Sequence, residues 1–150
     1  MDVIDELIKF HRLEKWHERE QSDEELRAYF SIVVAKDRIR FVDDGVKMLG
    51  YVESWRITFE QFGRKICHEP ILVDKEDIEH GPIAYVANTH ILEGYRFGDV
   101  YKRLVELFTK QNFSAKYFVG EATRKKHSPV KVFNRKDFLN KIKEGATNHE

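Results

Sequence analysis

Apolar residues recur at three- and four-residue intervals near the N-terminus and give way to β-branched and aromatic runs in the middle of the chain. Val3, Leu7, Phe10, Leu13 and Trp16 fall on one helical face between Asp2 and Arg19, with charges opposite and Asp2 placed as N-cap. Ser22-Asp23-Glu24-Glu25 has the spacing of a capping box, and Leu26, Phe30, Val33 and Val34 follow at helical intervals, so a second helix starts near Asp23. Arg38–Asp43 and Lys47–Thr58 are rich in strand formers, and Asp43-Asp44-Gly45 between them carries a turn signature, which predicts a hairpin. Phe59–Pro82 mixes charges with a short apolar run at Ile71–Val73 and stops at Gly81-Pro82; it reads as a strand end plus a long loop. From Ile83 to Lys110 an apolar strand pattern leads through a turn with Gly94 and Gly98 into an amphipathic helix. Ala115–Glu121 reads as a strand, Arg124–Ser128 as a basic turn, Val130–Asn134 as a further strand and about Lys136–Lys143 as a closing helix, with residues 145–150 frayed. No internal repeat, low-complexity tract or linker interrupts the pattern, which is that of an α+β, mixed-sheet domain.

At 150 residues, 41% hydrophobic and 13% aromatic, the chain suits one domain over residues 1–150. Its 26 basic and 26 acidic residues cancel, so no net field draws the whole molecule to nucleic acid or an anionic membrane. The balance is local: Gln111–Glu150 carries 9 Lys/Arg against 4 Asp/Glu, and the rest 17 against 22. Cys67 is the only cysteine, which excludes an internal disulfide and fits a cytoplasmic, reducing compartment. No apolar run reaches the roughly 18 residues of a membrane span, and the start MDVIDEL is acidic where a signal peptide is basic.

The Ile83–Lys110 stretch has the order of a phosphate-binding site, because a helix N-terminus offers unpaired N–H groups and the positive end of its dipole. Two segments resemble the GNAT-type N-acyltransferases, which use acetyl-CoA or a related acyl-CoA. FVDDGVKMLGYVESWRI is similar to the family's second and third strands, and THILEGYRFGDVYKRLVELF to its fourth strand, pyrophosphate loop and following helix. The resemblance covers about Arg38 to Val119, roughly half of the chain. It implies a GNAT-like mixed, mostly antiparallel sheet flanked by helices, acyl transfer from acyl-CoA to an amine, and a splayed segment at Asn88–Leu92. It also implies that Ile91, Leu92, Arg96, Phe97, Gly98, Asp99, Val100 and Tyr101 hold the cofactor.

The family's loop reads Gln/Arg-x-x-Gly-x-Gly/Ala. With Gly98 as its first glycine, Tyr95 stands at the Gln/Arg position and Val100 at the Gly/Ala position, where a valine crowds the pyrophosphate. The family's general-acid tyrosine lies after its fifth strand; here GEATRKKHSPVKVFNRK contains none. Short, divergent relatives of this kind recur among phage and mobile-element proteins, so the resemblance equally accommodates a non-catalytic GNAT-fold module that binds a protein partner.

Acyl transfer requires a base for the amine proton. Glu53 and His90 are the candidates by topology, and alternation alone does not say which face each occupies. The plainer expectation is an exposed strand carboxylate at Glu53 and a hydrogen-bonded histidine at His90. His127 follows Arg124-Lys125-Lys126 and is either a solvated residue, an acid or a phosphate contact. The seven histidines lack ligand spacing, so no metal is expected, and Cys67 beside His68 points to the opposite face of any strand. The basic set Arg124, Lys125, Lys126, Lys131, Arg135 and Lys136 suits a solvated face, a protein or CoA 3′-phosphate contact, or a nucleic-acid backbone; the neutral net charge argues against the last. Trp16, Trp55 and the phenylalanines are expected in the core.

Overall fold

The computed structural model describes residues 1–13, 21–95, 98–121 and 130–134; Trp16, the Arg124–Ser128 turn and the closing helix lie outside them. Helix α1 spans Val3–Leu13, with Asp2 Oδ1 accepting from the Asp5 N–H at 3.0 Å. Helix α2 spans Asp23–Ala35, and Ser22 and Glu25 make the expected capping box. Strands β1 (Ile39–Asp43) and β2 (Met48–Ile57) form the hairpin. Gly45 takes φ +90° in the turn, and Asp44 Oδ1 accepts from the Val46 and Lys47 N–H groups at 2.9 Å.

Residues 59–66 correct the loop expectation: Phe59–Ile66 is helix α3, opened by a capping box between Thr58 and Gln61. The chain then runs to strand β3 (Ile83–Ile91), helix α4 (Asp99–Gln111), β4 (Tyr117–Glu121) and β5 (Val130–Asn134). The approach to β3 is tight, because a Cβ on Gly81 would lie 2.1 Å from the Ile57 backbone, closer than any side chain is accommodated.

The five strands make one sheet in the order β1-β2-β3-β4-β5, antiparallel except for the β3–β4 pair. Alternation divides the sheet's side chains between two layers. Tyr51, Trp55, Ile57, Ile83 and Tyr85 face α1 and α2, where Leu7, Phe10, Leu26, Phe30 and Val33 cover them. Leu49, Val52, Ala84 and Phe118 face α4, which brings Val100, Leu104 and Phe108. Gly50 lets α4 approach β2: a Cβ there would lie 3.0 Å from the His90 carbonyl oxygen and 3.1 Å from Val100 Cγ1.

Candidate functional site

The sheet opens between its two parallel strands. β3 pairs with β4 only from Ile83 to Tyr85, opposite Tyr117–Val119, although β3 continues to Ile91 and β4 to Glu121. At the same level the β2–β3 register shifts: Glu53 faces Asn88 and Ser54 faces Val86, leaving Ala87 as an extra residue in β3. Such a bulge bends its strand and re-aims the groups beside it. The departure therefore begins at Val86, two residues before the Asn88–Leu92 segment expected from sequence. Leu92 lies beyond β3, in a turn where its carbonyl accepts from the Tyr95 N–H.

Beside the bulge, Glu53 is fully buried, which overturns its expectation as an exposed strand carboxylate. Three donors satisfy it: the Tyr29 hydroxyl of α2 donates to Oε2 at 2.5 Å, Trp55 Nε1 donates to Oε2 at 2.7 Å, and Asn88 Nδ2 donates to Oε1 at 2.9 Å. Burial pushes the Glu53 carboxyl above its ordinary range, against these hydrogen bonds and the nearby Lys65 charge, which favour the carboxylate. Tyr29 is held well above the usual phenol range by burial first and by the Glu53 charge and hydrogen bond next.

His90 shares this face, since Tyr51 pairs with His90 as Glu53 pairs with Asn88. The two candidate bases are nevertheless held by different neighbours. The His90 ring is buried, stacked on Tyr51 with centroids 5.1 Å apart and rings inclined by 24°, and lies 6.4 Å from Phe10.

The second element of the site is a cleft of about 670 Å³ at the N-terminus of α4, lined by Leu49, Glu93, Gly94, Tyr95, Gly98, Asp99 and Val100. Gly94 takes φ +94° in its wall, while Gly98 is the N-cap of α4 and has no side-chain cap. Val100 lines this cleft and also packs, buried, with Leu104 and Phe108 in the α4 layer. Tyr101 is exposed, Ile91 and Leu92 are half-buried, and Arg96 and Phe97 lie outside the described residues. Glu93 and Asp99 are the two acidic residues in the cleft lining.

Cys67 is the exposed C-cap of α3, and His68 takes φ +61° just after it. Neither is in a strand. Among the described residues no group of three or more His, Cys, Asp or Glu is arranged to hold a metal ion. His127 lies outside the described residues, as do Arg124, Lys125, Lys126, Arg135 and Lys136, and of Lys131 only the strand backbone is described. Sequence reasoning assigned no role to Tyr29 or Lys65, and named Asn88 only as the start of the splayed segment. Tyr29 had a signal: it sits on the apolar face of α2 between Leu26 and Val33, so its hydroxyl had to find an acceptor on the sheet.

A β3–α4–β4 crossover, an opening beside it and helices on both faces define a GNAT-like α+β fold. The loading GNATL domain of CurA from Lyngbya majuscula shares it, with a TM-score of 0.55 and 18% identity over 79% of this chain and 59% of that domain. So does the GphF GNAT-like decarboxylase in complex with isobutyryl-CoA, with a TM-score of 0.55 and 14% identity over 79% of this chain and 60% of that one. The chain thus spans about three-fifths of each of these neighbours. No protein-family model matches the sequence, nor does any curated protein at a significant level. Within the described residues, no helix is long and apolar enough to cross a membrane.

Proposed function

We propose that the chain acts as one GNAT-like domain in the cytoplasm, binding an acyl-CoA, acetyl-CoA among the candidates, and transferring its acyl group to an amine. The observation that carries this reading is the opening of β3 from β4 at Tyr85, with the Ala87 bulge and the buried Glu53 beside it. Strand edges without a neighbour present backbone donors and acceptors, which suit the extended, amide-bearing arm of CoA. The pyrophosphate would lie in the cleft at Gly98–Tyr101, where the uncapped first turn of α4 offers N–H groups.

In the transfer, the amine nitrogen attacks the thioester carbon, the C–S bond breaks, and the thiolate leaves to take a proton from solvent. Glu53 is closed to solvent, so as base it acts through Tyr29: the hydroxyl passes its proton to Glu53 and takes one from the amine. A carboxyl raised by burial is better matched to that task than an exposed one. His90, packed between Tyr51 and Phe10, serves in this reading as a wall.

One observation favours a second reading. Glu93 and Asp99 oppose a pyrophosphate in the cleft and suit a basic peptide, as in a non-catalytic module that binds a protein partner in a phage or mobile-element setting. A thermal shift with CoA and acetyl-CoA separates the two, since a ligand at 100 times its dissociation constant adds about 2.7 kcal/mol of stability. The enzyme reading expects a shift that Gly98→Trp removes; no shift at millimolar CoA overturns it, and an unchanged shift in G98W overturns the placement of the pyrophosphate.

A further inference from the structure

Lys65 of α3 reaches back to the sheet. Its Nζ lies 5.6 Å from the centroid of the Trp55 ring and 5.7 Å from that of Tyr85. Those two rings are cross-strand partners, 5.7 Å apart and inclined by 35°, and both are buried. Glu53 shares the Trp55 face of β2, accepts from the Trp55 indole, and has its carboxylate stabilised by the Lys65 charge. The ammonium therefore meets two π faces, one of them the indole that donates to the Glu53 carboxyl, an arrangement that selects alkylammonium ions over neutral groups of the same shape. The cage also stands at Tyr85, the last β3 residue paired with β4, and so at the mouth of the opening.

The segment that carries Lys65 is anchored by its own bonds. Gln61 is buried and donates to the Asp77 carbonyl at 3.0 Å, Arg64 is paired with Glu76, and Phe59 packs edge-on to Tyr117 of β4 at 5.5 Å. Lys65 itself is only half-buried, so its ammonium can leave the cage by rotating its four-carbon stem without moving α3.

We infer that the cage formed by the Trp55 and Tyr85 rings, with Glu53 behind the indole, is a binding site for a primary ammonium on an unbranched alkyl chain, and that Lys65 is its built-in occupant, which an incoming amine displaces. This rests on the acceptor side of the proposed transferase, with Lys65 setting the shape of the acceptor and holding the site closed without one.

The test uses no CoA, so its failure and that of the acyl-CoA reading are separate events. The Trp55 indole N–H resonance is followed by NMR during titration with n-butylammonium, and with 1-butanol as the neutral counterpart, in the wild type and in Lys65→Ala. K65A is expected to bind n-butylammonium at least roughly tenfold more tightly than the wild type, and 1-butanol is expected to bind neither. Lys65→Gln, which keeps chain length and loses charge, repeats the measurement should K65A lose helix α3. Equal affinity in wild type and variant, equal response to 1-butanol, or no response from a folded variant each overturns the inference.

Discussion

Against α4 the sheet presents Leu49, Val52, Ala84 and Phe118, and the helix meets them with Val100, Leu104 and Phe108. On the opposite face the same strands present Tyr51, Glu53, Trp55, Tyr85, Asn88 and His90, a polar and aromatic set with a carboxylate at its centre. The first layer is mainly hydrocarbon, with the buried Ser54–Asn112 hydrogen bond at its margin, and is stabilised by removing apolar area from water. The second buries groups whose desolvation costs free energy unless each finds a partner, and Glu53 finds three. A fold seeking only stability has no need of this second arrangement. Its place beside the opening marks the face we assign to chemistry, and that face also carries the larger core, with Leu7, Phe10, Leu26, Phe30 and Val33 over it.

The largest effect should come from the hydrocarbon side. Phe108→Ala should cost about 3–5 kcal/mol of unfolding free energy in urea while leaving ammonium binding at the cage unchanged in the folded protein. A comparable loss of ammonium binding would show that the two faces do not act separately. Glu53→Ala should cost roughly 3 kcal/mol, because the Tyr29 hydroxyl, Trp55 indole and Asn88 amide lose their shared acceptor. Glu53→Gln, which keeps an acceptor, should stay within about 1 kcal/mol of wild type at pH 7.

The pH dependence of that last pair carries a sign. Burial raises the folded Glu53 carboxyl above its unfolded value of 4.5, so its contribution is fully present below pH 4.5 and is lost as pH rises through the folded value. Urea midpoints should therefore favour wild type over E53Q most at low pH, and a gap that widens toward pH 7 would contradict the assigned burial effect.

Smaller effects test the boundary between the layers. Gly50→Ala pushes a Cβ toward the His90 carbonyl, Val100 and Leu104, and should cost about 1–3 kcal/mol with α4 displaced from the sheet. An unchanged midpoint would mean that α4 gives way freely. The smallest effect is expected at Glu76, whose carboxyl is lowered to about 2 by Arg64 first and by the Leu72 N–H next. Its contribution is present above pH 4.5 and disappears as pH falls toward 2, and Glu76→Gln should cost under about 1 kcal/mol at pH 7, since both partners are partly solvated. Acid titration of α3 helicity in wild type and E76Q would reveal a larger role if the two curves differ strongly at neutral pH.

Much of the scaffold was legible in the chain. Leu26, Phe30 and Val33 repeat at helical spacing, Ser22 and Glu25 cap α2, and Asp44-Gly45 turns the hairpin; all three signals are local, so neighbouring residues decide them. Helix α3 was equally local, and Thr58-x-x-Gln61 announces it, but its few apolar positions among charges hid it from a reading based on hydrophobic period. The site was less legible for a physical reason. Two of Glu53's three partners stand 24 and 35 residues away, and nothing in the alternation of β2 distinguishes a carboxylate turned toward solvent from one turned toward Tyr29. The bulge at Ala87 is similarly silent, because it is a property of two strands together.

Strand β1 carries a consequence of another kind. As one of the two outermost strands of the described sheet it has a backbone edge with no neighbouring strand, the geometry by which identical chains template one another into aggregates. Two features blunt that edge: its register with β2 breaks between Val42 and Asp43, and Arg40 projects from it in an ion pair with Asp37 at 2.8 Å. A flat strand of five apolar residues would have offered a ready template for self-association; the irregular, charged one works against such pairing.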